Sequence, residues 1–200
     1  MNIMKYKIKI SNRLADHIIN AVLIFASVFL AFWMNEIRIE NKEKELTYDA
    51  KKTILTEWKI NLIIIQRSNS YHEIILKKGE ESILKNIDTI NFFDLELIPG
   101  LSIGIQNETI TSNSLSLVDD QQINFDIKTR LTINQIHEQQ KKLVAAINTI
   151  THDFLIQREL FNKTKAKENY LMFYSLLEDL IEQENNTIAR LKEAINEFEE

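Results

Sequence analysis

From Ile18 to Met34 the chain reads IINAVLIFASVFLAFWM, 17 residues interrupted by one amide, Asn20, and one hydroxyl, Ser27. A helix packed on a soluble core shows polar residues every third or fourth position. Ala21 to Met34 shows no such face. As a helix the run covers roughly 26 Å, just under a hydrocarbon core of about 30 Å. Taking in Leu14 and Ala15 lengthens it to about 20 residues and sets Asp16 and His17 near the headgroups. Trp33 falls at one end, where an amphipathic ring suits the interface. Two other readings compete, a cleaved signal peptide and the core helix of a soluble protein. Cleavage wants small residues after the apolar run, and Ala31 is followed by Phe32, Trp33 and Met34. The expectation is a retained single-pass transmembrane helix in the lipid bilayer.

Charge bears on the orientation. Lys5, Lys7, Lys9 and Arg13 precede the run, and Arg38, Lys42 and Lys44 follow it. The positive-inside rule then favours a cytoplasmic N-terminus by a thin margin, with the rest of the chain on the far side. Beyond residue 35 the chain holds 20 basic and 28 acidic side chains with signs interspersed. An acidic surface of that kind does not attract phosphate, so no nucleic-acid partner is expected.

Three Gly and one Pro in 200 residues favour long helices over a sheet with many turns. With no Cys, disulfides, thiol nucleophiles and Cys-ligated zinc are excluded. The stretch ENKEKELTYDAKK is almost wholly polar and reads as a stalk. Apolar spacing of three and four then sets in at Trp58, Leu62, Ile65, Asn69, His72, Leu76, Gly79, Ile83, Ile87 and Ile90. A second seam runs through Ile136, Gln140, Leu143, Ile147, Ile150, Phe154, Gln157 and Phe161. A third follows the polar stretch NKTKAKEN, through Tyr174, Leu177, Ile181, Glu184, Ile188, Leu191, Ile195 and Phe198. Each buried Leu, Ile or Phe is worth roughly 1.5–3 kcal/mol, so the three stripes must cover one another.

The predicted fold class is all-α: a transmembrane helix, a helical stalk and an antiparallel three- or four-helix bundle with up-down topology. The organisation is a basic tail over 1–17, the span over 18–35, a stalk over 36–57 and the bundle over 58–200. An irregular connector holding Pro99 and Gly100 occupies 91–118, with room for one short helix. Asp119 and Gln122 have the spacing of a capping box for the helix that follows. Polar residues on the seams (Asn69, His72, Gln140, Gln157 and Glu184) cost stability and fix register.

No constellation for catalysis is present. The histidines at 17, 72, 137 and 152 form no H-E-x-x-H, no E-x-x-H and no pair at i, i+4, so no metal site is expected. His152 and Asp153 are adjacent and point about 100° apart on a helix, which makes no dyad. His72 reads either as a pH-sensitive contact or as a hydrogen-bonded interior histidine, and the second is expected. Glycines at 79, 100 and 104 supply no phosphate loop or dinucleotide fingerprint, and G-x-S-x-G is missing. Catalytic residues and cofactors are expected to be none. Within the span, Asn20, Ser27 and Ala31 share a helical stripe with His17, Ile24 and Asn35. Ser27-x-x-x-Ala31 lets two helices approach closely, and Asn20 is able to bond across them. This is a candidate helix-packing face.

With a basic N-terminus, an Ile/Leu/Phe-rich span and the exit Trp33-Met34-Asn35-Glu36 leading into IRIENKEKEL, the chain resembles a family of small single-pass membrane proteins. That family is catalogued as a domain of unknown function and is common in Bacteroidota bacteria. Asn107 to Phe125, NETITSNSLSLVDDQQINF, is similar to its short helix, turn and capped long helix, and LIEQENNTIARLKEAINEFEE to its closing amphipathic helix. Relatives place Gly in the span and at the mid-chain turn, where this chain has Ala26-Ser27 and Asn113-Ser114. The resemblance implies a membrane-tethered helical domain and supplies no catalytic or binding residues. The placement expected from the charges is the inner (cytoplasmic) membrane, with the N-terminus cytoplasmic and the C-terminal domain periplasmic. The function expected is that of an interaction or structural protein of the envelope, paired with itself or with another envelope protein. The alternative is a sensor-like ligand-binding bundle that signals through a partner.

Overall fold

A computed structural model describes residues 12–86, 110–120, 123–155 and 162–199. Helix α1 spans Asn12–Asn86, 75 residues, α2 Ser114–Val118, α3 Ile127–Asn148 and α4 Ala166–Glu199. A π-helical turn, Thr149–Phe154, extends α3, and a 3-10 turn, Lys163–Lys165, leads into α4. The described chain is all-α. Helix α1 runs unbroken because no Gly precedes Gly79 and no Pro precedes Pro99.

The chain divides into two units between Leu46 and Thr47. In the first, every large apolar side chain from Ile18 to Met34 is exposed, from 49% at Val28 to 74% at Phe25. This part of α1 is long and apolar enough to cross a membrane, and none of it is buried within the protein.

The second unit is a bundle whose register follows from a few contacts. Trp58 on α1 meets Phe198 on α4 with ring centroids 4.6 Å apart, and Lys59 pairs with Glu199 at 2.5 Å. Further along α1, His72 meets Glu184, so α1 and α4 are antiparallel. Lys128 near the start of α3 pairs with Glu197, and Gln139 donates to Gln183 and Thr187 at 3.4 Å each. Helix α4 is therefore antiparallel to α3 as well, and α1 and α3 share one direction. The chain between them has to return along the bundle. Thr111 lies beside Asn61, Ser114 beside Glu57 and Asn124 beside Thr47, so the connector is itself the descending member.

Two expectations are corrected. The bundle begins before residue 58, because Ala50, Ile54 and Glu57 are buried; the stalk reading fails for this part of 36–57. Ala50 and Ile54 stand four apart among lysines and threonines, too sparse to read as a seam. The capping box is also misplaced. Asp119 is the C-cap of α2, and α3 starts later, capped by Asp126, whose carboxylate accepts from the Thr129 N–H at 2.8 Å. Buried Ile123 and Phe125 hold the chain extended ahead of that cap.

The seams otherwise pack where their spacing puts them. Trp58, Ile65, Leu143, Ile150, Phe154, Leu177 and Leu191 are almost fully buried. The π-helical turn keeps Ile147, Ile150 and Phe154 facing inward, and Phe154 stacks on Phe173 of α4 at 5.8 Å. Helix α4 turns a slightly different face inward than the seam predicted. Phe173, Leu180 and Thr187 are buried, while Tyr174, Ile188 and Phe198 are half-buried. Gln157, Phe161, Ile87, Ile90 and Gln122 lie outside the described residues, as do the side chain of Ile83 and 91–109 of the connector.

Candidate functional site

The residues marked from sequence fall into two separate groups. Asn20, Ser27 and Ala31 occupy α1 in the first unit, and all three are exposed. The Ser27 hydroxyl donates to the Leu23 carbonyl at 2.8 Å, so it carries no unmet hydrogen bond into apolar surroundings.

The second group is a polar layer inside the bundle. His72 is 0% exposed and Glu184 1%, and His72 Nδ1 lies 2.9 Å from Glu184 Oε1. Asn69, one turn back on α1, donates from Nδ2 to Glu184 Oε2 at 3.3 Å. The carboxylate thus binds two side chains of α1 at i and i+3, joining the helices in one register. One proton is shared across the contact of His72 Nδ1 with Glu184 Oε1. This matches the expected hydrogen-bonded interior histidine. Gln140 of α3 is 2% exposed and belongs to the same layer, because its neighbour Gln139 reaches Gln183 and Thr187 on either side of Glu184.

A further set of polar contacts escaped the sequence reading. Glu57 is buried, and its carboxylate accepts from Asn113 N at 2.9 Å, Ser114 N at 3.1 Å and Ser114 Oγ at 3.0 Å. One turn further on, Asn61 donates from Nδ2 to Thr111 O at 2.7 Å and accepts from Thr111 N at 3.1 Å. Thr47 accepts from Asn124 N at 3.1 Å. Three polar side chains of α1 thereby satisfy backbone groups of a connector with little secondary structure of its own. The only available signal was the i, i+4 pair Glu57 and Asn61 flanking the seam residue Trp58.

Elsewhere the chemistry is sparse. The Ser112 hydroxyl meets His137 Nδ1 at 2.6 Å near the surface, and His17, His152 and Asp153 are exposed. No group of three metal-ligating side chains occurs among the described residues. A shallow cleft between α3 and α4, lined by Thr132, Ile136, Arg190, Glu193 and Glu197, holds about 60 Å³. Ligand pockets run to about 300–1,000 Å³. At the start of α3 the Asp126 carboxyl is held below the usual carboxylate range, first by the Thr129 backbone N–H and next by the Thr129 hydroxyl. These arrangements hold helices and loops together. Compared with known protein families, with curated proteins and with solved structures, the chain matches none of them.

Proposed function

We propose that this chain is a single-pass membrane protein whose helical bundle is an interaction or structural module of the bacterial envelope, with no catalysis of its own. The observation that supports this reading best is the exposure of every large apolar side chain from Ile18 to Met34. In water each would forfeit roughly 1.5–3 kcal/mol of burial, and none of the described residues covers them. A lipid bilayer covers all sides of such a helix at once.

The proposal extends to placement and partners. The N-terminus lies in the cytoplasm, the span in the inner membrane and the bundle in the periplasm, following the basic residues ahead of the span. Asn20, Ser27 and Ala31 form the face on which the span meets a second copy or another envelope protein. The resemblance of the span and its exit to a single-pass membrane family supports this reading. Fractionating cells with an alkaline carbonate wash tests the anchor, and reporter fusions at either end test the orientation. The protein should stay with the membrane pellet, and a C-terminal reporter that works only in the periplasm should be active. Recovery in the soluble fraction would overturn the reading.

A further inference from the structure

The polar layer of the bundle is unfinished in one respect. His72 Nε2 and both amide atoms of Gln140, Oε1 and Nε2, are buried with no hydrogen-bond partner among the described residues. Glu184 occupies His72 Nδ1, so Nε2 is the ring nitrogen left without a partner among the described residues. Gln140 brings one unmet acceptor and an unmet donor from α3, at the level where Gln139 contacts both neighbours of Glu184. Buried polar atoms without partners are rare in native proteins, and enclosed water is what commonly satisfies them.

We infer that water is bound inside the bundle at this layer, hydrogen-bonded to His72 Nε2 and to the Gln140 amide, so that α1 and α3 are joined through it. A direct bond between His72 and Gln140 is the poorer solution. It would use one end of the amide and leave the other bare, whereas water both donates and accepts and serves both ends of the amide. A metal ion is a poor occupant, because no trio of metal-ligating side chains is present among the described residues. Nor does a larger solute suit a layer whose His72, Glu184 and Gln140 are exposed by 2% or less. The inference does not depend on how the chain meets a membrane.

Magnetic resonance on the full chain in detergent micelles, with nitrogen-labelled histidine, tests it. The ring C–H protons of His72 should show cross-relaxation to a long-lived water, and Nε2 should resonate as a hydrogen-bonded nitrogen. In Gln140→Met that water signal should be lost, with the Nδ1–H signal of the Glu184 pair retained. Absence of water cross-relaxation at His72 in the unaltered chain overturns the inference, and this measurement decides even if the variant fails to fold. A water signal that survives in folded Gln140→Met also overturns it, since the amide would then hold no part of the site.

Discussion

The side-chain amide of Asn61 pairs with both backbone groups of Thr111, donating to its carbonyl at 2.7 Å and accepting from its N–H at 3.1 Å. It does for one residue what a neighbouring strand would do, and it fixes the level at which the connector runs beside α1. Replacing Asn61 with Leu removes both hydrogen bonds to the Thr111 backbone, which is only part-buried, at a cost of about 0.5–1.5 kcal/mol each. Urea unfolding of the Asn61→Leu chain should show its midpoint lowered, with faster amide exchange at 111–114. Unchanged exchange there would mean that the connector is held by other contacts.

The pair of His72 with Glu184 makes the second prediction. Glu184→Ala removes the acceptor shared by His72 and Asn69 and leaves both side chains buried without it. Leaving a buried polar side chain without its partner costs about 1–3 kcal/mol. Exchanging both members for apolar residues, as in His72→Phe with Glu184→Met, should cost far less than the sum of the single changes. Thermal unfolding of the four chains measures this, and strict additivity would count against coupling between the two side chains.

These two relationships were not equally legible. Asn69, His72, Gln140 and Glu184 stand on their seams by spacing, so their burial follows from helical periodicity alone. Which of them meet does not, because register across helices depends on the path of the connector. Glu57 and Asn61 are harder still. In TEWKIN they read as ordinary surface residues of a helix, and the backbone that they satisfy lies 50 residues or more away. The cap of α3 failed for a local reason. Asp119 and Asp126 both precede a polar residue at the third position, and the burial of Ile123 and Phe125 decides between them.

Asp126 gives a pH prediction. Its folded pKa is lowered by the Thr129 backbone N–H and then by the Thr129 hydroxyl. The unfolded chain therefore takes up this proton at higher pH than the folded one. Stabilisation from the cap is complete above the ordinary carboxylate range and fades as pH falls through the lowered folded value. Asp126→Ala should cost about 1 kcal/mol at neutral pH, as lost caps do. The gap between the two chains should narrow as pH falls below the ordinary carboxylate range and close only below the lowered folded value, where folded and unfolded carboxyls are both protonated. Unfolding midpoints measured from pH 7 to pH 3 check it, and a constant gap would refute the assignment.

Charge placed in the apolar run tests the anchor by itself. Phe25 and Phe29 lie within the span and are exposed by 74% and 61%, so neither contributes to a core that an arginine would disrupt. An arginine near the middle of a transmembrane helix costs about 2.5–3.5 kcal/mol on insertion scales. Phe25→Arg with Phe29→Arg should therefore move the protein out of the carbonate-resistant membrane fraction. Its bundle should still unfold cooperatively, because residues 47–200 keep their own contacts. If the doubly charged chain stays in the membrane pellet while its bundle remains folded, residues 18–34 are not what holds the protein there.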